Sequence, residues 1–162
     1  MRLNKKRRGF TLVEIMVVVT LIGFLAMLSV PVFKRIKLRA ISSAFTSDTR
    51  TFSEAFQRYA QEKGSFPATV AAGVVPGGME EYIDLNDWGK TTSLGGNFRW
   101  VSAQASDAQR GNYETGMIQV VGPTLSLEEM GLIDTWTDDG DVSDGNLIIT
   151  GGGSLVVFNV EI

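Results

Sequence analysis

The densest group of side chains with coordinating chemistry lies near the C-terminus. Residues 138–146 contain four aspartates among glycines: Asp138, Asp139, Asp141 and Asp144. Calcium takes six to eight oxygen ligands, so four carboxylates on one loop could wrap a calcium ion. The spacing does not match the EF-hand loop, however, and Asp-Gly pairs are common turn formers. We therefore favour plain turns over a calcium site here, and we expect no other cofactor.

A second distinctive residue is Glu14, which is the only charged residue among the 24 from Phe10 to Phe33. As a helix this apolar run would be about 36 Å long, enough to cross a bilayer. An acid within a spanning helix is costly, and such acids tend to be paired and functional. Glu14 lies near one end, where the helix dipole favours an anion. We prefer a functional carboxylate over one that is merely tolerated at the membrane surface.

Enzyme chemistry finds little support in the sequence. There is no Cys and no His, which removes thiol nucleophiles, imidazole bases and the usual zinc ligands. No Gly-x-Ser-x-Gly elbow or phosphate-binding loop is present, and Lys90 is the only lysine after residue 63. Carboxylates are abundant, so glycosidase-type chemistry stays open by composition alone. We expect no enzyme, with a membrane-anchored hydrolase as the remote alternative.

Charge divides the chain into two parts that suit different surroundings. Residues 1–63 carry 12 Lys/Arg and 4 Asp/Glu, a net charge of +8, whereas residues 64–162 carry 3 and 14, a net charge of −11. The basic part can lie against a lipid bilayer. The acidic part should repel nucleic acid, so we expect no nucleic-acid partner.

The N-terminus differs from an ordinary secretory signal. Residues 1–9 form a basic leader that ends at Gly9, and the apolar run of residues 10–33 follows. A secretory signal is cut after its apolar region, at small residues. Here the apolar run is followed by basic residues instead: Lys34, Arg35, Lys37 and Arg39. The apolar segment is therefore expected to stay in the mature protein.

The segment Gly9–Glu14 reads Gly-Phe-Thr-Leu-Val-Glu, behind a basic leader and ahead of an apolar run. In this context it resembles the cleavage signal of type IV prepilins and of type II secretion pseudopilins, over roughly residues 5–40. The resemblance implies that a prepilin peptidase cuts between Gly9 and Phe10 and that the new amine of Phe10 is methylated. It also implies that Glu14 is the assembly residue, which pairs with that amine in its own or a neighbouring subunit.

The same resemblance implies a location, partners and a function. The protein would cross the bacterial inner membrane once, with its leader in the cytoplasm and its C-terminal domain in the periplasm. It would join other pseudopilins, on an inner-membrane assembly platform, in a homo- or hetero-oligomeric filament. Many type IV pilins close a C-terminal loop with a disulfide, so the lack of Cys favours a type II secretion pseudopilus over a pilus for adhesion or motility. The acidic domain makes a DNA-uptake pilin less favoured still.

The long N-terminal helix is expected to change character along its length. Residues 34–63 continue the spanning segment as an amphipathic helix, whose apolar face is formed by Ile41, Phe45, Phe52, Phe56 and Tyr59. Gly64 should end the helix. Gly23 and Pro31 interrupt the spanning half. They are either tolerated, as in many membrane helices, or, as the resemblance implies, they mark a stretch that loses helicity in the filament.

Residues 64–162 are expected to form a globular domain of loops and short strands. Strand patterns cover Asn97–Ser102, Tyr113–Val121, Leu147–Thr150 and Ser154–Val160, and the last two flank three glycines as in a hairpin. Ser126 and Glu129 form a capping-box pattern for a short helix that should end near Gly131. The predicted fold class is α+β, a pilin-like arrangement in which a long N-terminal helix packs on a small antiparallel sheet.

Overall fold

The computed structural model describes residues 9–102 and 116–160. The chain divides into two compact units, Met1–Lys37 and Leu38–Ile162. One helix, α1 (Leu12–Lys63), supplies residues to both units. Its bounds agree closely with the helix that the sequence predicts from Phe10 to Lys63.

In the first unit, α1 presents apolar side chains that the other described residues leave exposed. The exposed fractions of its large apolar residues range from 50% at Val18 to 77% at Met27. An 18-residue window reaches a mean hydropathy of 2.6, and in the described residues α1 is the one helix long and apolar enough to cross a membrane. Its hydroxyls are satisfied internally: Thr20 Oγ1 donates to the Met16 carbonyl at 2.7 Å, and Ser29 Oγ to the Ala26 carbonyl at 2.9 Å. These bonds leave few polar groups facing a lipid environment.

The second unit contains a four-stranded antiparallel sheet in the order β1-β2-β4-β3. The strands are β1 (Asn97–Val101), β2 (Gly116–Val121), β3 (Leu147–Thr150) and β4 (Leu155–Val160). The β3–β4 hairpin turns through Gly151–Gly153, and all three glycines have positive φ, which explains why glycine is used there. The predicted strands are thus confirmed, except that residues 113–115 of the second prediction lie outside the described part of the chain.

The core forms where the second half of α1 meets this sheet. Phe45, Phe52 and Phe56 are buried, and the Phe56 ring stacks on the Trp100 ring with centroids 3.7 Å apart. Phe52 makes edge-to-face contacts with Trp88 and Phe98, each at 5.0 Å. Aromatic side chains bury 150–250 Å² each and such pairs add about 0.5–1.5 kcal/mol beyond their area. The predicted amphipathic face is confirmed, and so is the α+β fold class.

The buried indole groups also find hydrogen-bond partners. Trp88 Nε1 donates to the Val74 carbonyl at 2.8 Å, and Trp100 Nε1 donates to the Pro67 carbonyl at 2.9 Å. Each bond ties the loop that follows α1 to the aromatic core. A short helix, α2 (Leu85–Gly89), carries Trp88 into that position.

The ends of the helices test the predicted boundaries. Gly64 adopts φ +78° and its N–H donates to the Ala60 carbonyl at 2.8 Å, so the predicted end of α1 is confirmed. Helix α3 (Leu127–Thr137) begins with the predicted capping box of Ser126 and Glu129. The predicted end near Gly131 is wrong, because α3 continues to Thr137. Burial of Met130 and Ile133 against the core favours continued helix more than one glycine disfavours it.

Candidate functional sites

The N-terminal site is built around the start of α1. Thr11 is its N-cap residue: Glu14 N–H donates to Thr11 Oγ1 at 3.2 Å, and Thr11 N–H donates to Glu14 Oε2 at 3.1 Å. Thr11 Oγ1 lies 3.1 Å from the same carboxylate oxygen. This is a capping box, and it holds the Glu14 carboxylate beside the first turn of the helix. Sequence reasoning singled out Glu14 but missed Thr11, although the Thr-x-x-Glu pattern was there to find it.

The bond expected to be cut lies in open surroundings. Gly9 is exposed, and a Cβ atom built on it would meet nothing within 4 Å. The side chain of Phe10 is 80% exposed. Cleavage after Gly9 and methylation of Phe10 therefore meet no steric obstacle from the described residues, and both stay predictions.

The two expected interruptions of the spanning segment leave α1 continuous. Helical conformation runs through both Gly23 and Pro31. A Cβ atom at Gly23 would also meet nothing within 4 Å, so close packing within the chain does not require glycine there. Loss of helicity at these residues on assembly stays a prediction.

The acidic stretch of residues 138–146 uses its carboxylates to form turns. Asp139 Oδ1 accepts from Asp141 N–H at 2.8 Å, and Asp141 Oδ1 accepts from Ser143 N–H at 3.0 Å. Asp144 Oδ1 accepts from the adjacent Gly145 N–H. Gly140 and Gly145 have φ of +86° and +83°. These contacts agree with the turn interpretation. Calcium binding by this stretch stays a prediction.

Asp138 closes the stretch into a loop. Its Oδ2 accepts from Leu147 N–H at 3.1 Å and, by a short bond, from Asn146 N–H. The carboxylate therefore connects the end of α3 to the start of β3. Its position at the C-cap of α3 fixes it close to the helix.

A buried acid, Asp134, lies beside these aspartates, and sequence reasoning missed it. Its side chain is completely buried, and neither carboxylate oxygen has a hydrogen-bond partner in the described residues. Desolvation raises the pKa of Asp134 to about 6, with further contributions from the negative charges of Asp139, Asp138 and Asp141. The backbone N–H of Gly140 opposes this shift without reaching hydrogen-bond geometry. The i,i+4 spacing brings Asp134 and Asp138 together on one side of the helix, but no local pattern indicates that Asp134 is buried.

A polar groove of about 690 Å³ runs along the second half of α1. Arg39 lies at one side, with its guanidinium carbon 5.4 Å from the centroid of the Trp136 ring. Glu54 is the only carboxylate among the described residues that line the groove, which are Arg39, Ser42, Ser43, Thr46, Ser47, Arg50, Thr51, Glu54 and Trp136. These described residues offer no pair of facing carboxylates of the kind a glycosidase mechanism uses.

Comparisons with known proteins agree with the N-terminal site and with the fold. The family described as the prokaryotic N-terminal methylation motif matches residues 4–30. The type II secretion system core protein G of Escherichia coli (strain K12) is 41% identical over 69 residues, which cover 43% of this chain and 48% of that protein. The type IV major pilin protein PilA of Myxococcus xanthus (strain DK1622) is 34% identical over 65 residues, which cover 40% of this chain and 30% of the pilin. The chain thus matches half or less of the length of these relatives.

The fold likeness extends further along the chain. The structure of the major type IV pilin PilA1 from Clostridium difficile superposes with a TM-score of 0.51 at 12% identity, covering 79% of this chain and 98% of the pilin. At that identity the likeness concerns the fold alone. The matched relatives are pilin and secretion proteins rather than known enzymes. The chain thus carries a prepilin-type methylation motif, is similar over part of its length to a type II secretion protein and a type IV pilin, and has a pilin-like fold.

Proposed function

We propose that this chain is a structural filament subunit of a type II secretion pseudopilus. In this proposal it is cut after Gly9, methylated at Phe10 and assembled through its N-terminal helix. The observation that carries the proposal is the capped, exposed and apolar start of α1, which lies within the residues 4–30 that match the methylation motif. The 41% identity to a type II secretion protein favours secretion. The fold likeness to a major type IV pilin supports the second candidate, a pilus for adhesion or motility.

The exposed apolar surface of α1 must be covered by the membrane before assembly and by other subunits after it. Apolar side chains along residues 10–36 would be costly to leave in water, because burying such surface is the main favourable term in folding and association. The inner membrane covers them before assembly, with the leader in the cytoplasm and the acidic domain in the periplasm. In the filament the helices of neighbouring subunits cover them instead. A prepilin peptidase and an inner-membrane assembly platform are the partners that this transfer requires.

In this proposal Glu14 fixes the axial position of each subunit relative to its neighbours in the filament. Its carboxylate lies beside the first turn of α1 and accepts from the N–H of Thr11, the residue that follows Phe10, whose amine the cut releases. Within a bundle of apolar helices an unpaired carboxylate is unfavourable, and breaking a buried ion pair costs about 3–5 kcal/mol. The amine of Phe10, from the same or the adjacent subunit, would neutralise it. A subunit shifted by one helical turn would lose that pairing.

Glu14→Gln tests this proposal because it removes the charge and little else. Glutamine serves in a capping box as glutamate does, so the start of the helix should be retained. We expect the processed subunit to accumulate in the membrane at the normal level, while sheared filament yield and secretion fall severely. Thr11→Val is the matched control, since it removes the hydroxyl cap but keeps the carboxylate. Normal filaments with Glu14→Gln, or an equal defect in Thr11→Val, would contradict the ion-pair role.

Deletion of the gene distinguishes a subunit of a secretion pseudopilus from a subunit of a type IV pilus. Loss of secreted proteins with surface pili and motility intact is expected for a pseudopilin. Loss of pili with secretion intact would instead support the type IV pilin.

A further inference from the structure

The polar groove along the second half of α1 contains two side chains of opposite charge that do not pair with each other. Arg50 and Glu54 both line the groove and both are exposed. They lie four residues apart, but with the arginine first, which is the less favourable order for an ion pair within one helix. In the described part of the chain the one salt bridge joins Lys90 to Asp87.

Arg58, one turn beyond Glu54, is in the favourable order for such a pair but is directed elsewhere. Its guanidinium carbon lies 5.5 Å from the centroid of the Tyr82 ring. No salt bridge between Arg58 and Glu54 occurs in residues 9–102 and 116–160. The Glu54 carboxylate therefore stays available on the surface of the groove.

The shape of the groove suits a second helix. Between its charged ends the exposed lining side chains include the short hydroxyl residues Ser43, Ser47 and Thr51. Short side chains let two helix axes approach to the 8–10 Å that is usual for packed helices. From Arg39 to Glu54 the groove extends for about 22 Å along α1. A long and open surface of this kind fits another helix better than a small ligand, which binds in an enclosed pocket.

A second copy of the chain presents complementary charges to this groove at one particular axial offset. When the Phe10 amine of one subunit lies opposite Glu14 of its neighbour, the two copies are shifted by four residues, or about 6 Å along α1. Arg50 precedes Glu54 by the same four residues, again with the cation before the anion. The shift that pairs Phe10 with Glu14 therefore also brings Arg50 of one copy level with Glu54 of the other.

We propose that the groove is the docking surface for α1 of a second copy of this chain, with Arg50 of one copy paired to Glu54 of the other. This inference rests on the proposed role as a filament subunit and adds a second ion pair, in the half of α1 that belongs to the folded domain. Two ion pairs with the same offset define the axial position of a subunit more strictly than one pair does. Because Arg50 and Glu54 are exposed, salt weakens their attraction until the docked helices exclude water.

The test measures sheared filament yield for charge-reversed variants of the full chain, together with the level of processed subunit and the Tm of each variant. Arg50→Glu and Glu54→Arg should each lower the yield at least about tenfold, because each places like charges opposite one another across the contact. The double variant with both changes restores opposite charges at the same offset and should recover most of the yield. Lys63→Glu is the matched control, since it reverses an exposed charge of α1 outside the groove and should leave the yield unchanged.

Cysteine cross-linking locates the contact directly, because the chain contains no Cys of its own. Cells that make the Arg50→Cys chain together with the Glu54→Cys chain should give a covalent dimer of the two variants with a short bifunctional maleimide. Glu54→Cys combined with Lys63→Cys should give much less dimer, since these positions are not level at the proposed offset.

Normal filament yield in both single charge reversals, beside normal wild-type filaments, would overturn this inference and leave the proposed function standing. A double variant that is no better than the single ones, or an equal loss in Lys63→Glu, would exclude the specific pairing of Arg50 with Glu54. A wild type that forms no filaments and supports no secretion would instead refute the proposed function, and this inference with it.

Discussion

Asp134→Asn should stabilise the protein at neutral pH when divalent cations are absent. The wild-type carboxyl group is completely buried and has no hydrogen-bond partner among the described residues, and its pKa is raised from 3.8 to about 6. At neutral pH the folded state must therefore hold a charge in a site that disfavours it. Asparagine keeps the shape of the side chain and carries no charge, so it removes this penalty.

The sign and size of the effect follow from the two pKa values. Between pH 3.8 and about 6 the folded state keeps a proton that the unfolded state has lost, so stability falls as the pH rises through this range. Below the range Asp134 is neutral in both states and contributes no penalty. Above it the full penalty is present. The separation corresponds to at most about 3 kcal/mol, or roughly 10 °C in Tm for a domain of this size.

The assay is unfolding of the wild type and Asp134→Asn in EDTA, followed by circular dichroism from pH 4 to pH 8. We expect the two curves to separate as the pH rises, with the variant more stable by up to about 3 kcal/mol at pH 7. Asp144→Asn, an exposed position in the same loop, is the control and should leave the wild-type slope unchanged. A flat wild-type profile, or a variant that is equally destabilised at pH 4 and pH 7, would refute the reasoning.

Two further predictions concern processing and the core. Co-expression with a prepilin peptidase should remove residues 1–9 and add one methyl group to Phe10, as measured by intact mass. A bulky residue in place of Gly9 should block the cut. A wild-type product that retains Met1 would contradict this prediction. Phe56→Ala should lower the free energy of unfolding by about 3–5 kcal/mol in urea titrations, because it removes a fully buried ring stacked on Trp100. The matched change Phe24→Ala, at a side chain that is 64% exposed, should have little effect, and equal losses in both variants would show that burial is not the cause.

Local patterns account for what the sequence predicted well. The face of Phe45, Phe52 and Phe56 repeats at helical spacing, and this repeat alone indicates which side of α1 is buried. The capping box at Ser126 is equally local, because its two residues lie within one turn. Gly64 ends α1 for a reason confined to its own backbone.

Tertiary burial accounts for what the sequence did not predict. The continuation of α3 past Gly131 depends on the contacts of Met130 and Ile133 with the core, which no local pattern contains. The burial of Asp134 likewise depends on how the loop after α3 folds back, so its raised pKa could not be anticipated. The cap at Thr11 is different, since its pattern was local and was overlooked.

The division of the chain at Lys37 and Leu38 has a consequence for the evolution of this protein. The boundary between the two compact units falls inside α1 rather than in a loop. Phe45, Phe52 and Phe56 come after that boundary and are part of the folded core. Recombination that exchanges C-terminal domains between related genes would therefore preserve folding only if the breakpoint lies before Leu38, the first residue of that core. A crossover at Gly64, directly after the end of α1, would instead join the sheet from one protein to the aromatic face of a helix that evolved to pack on another sheet.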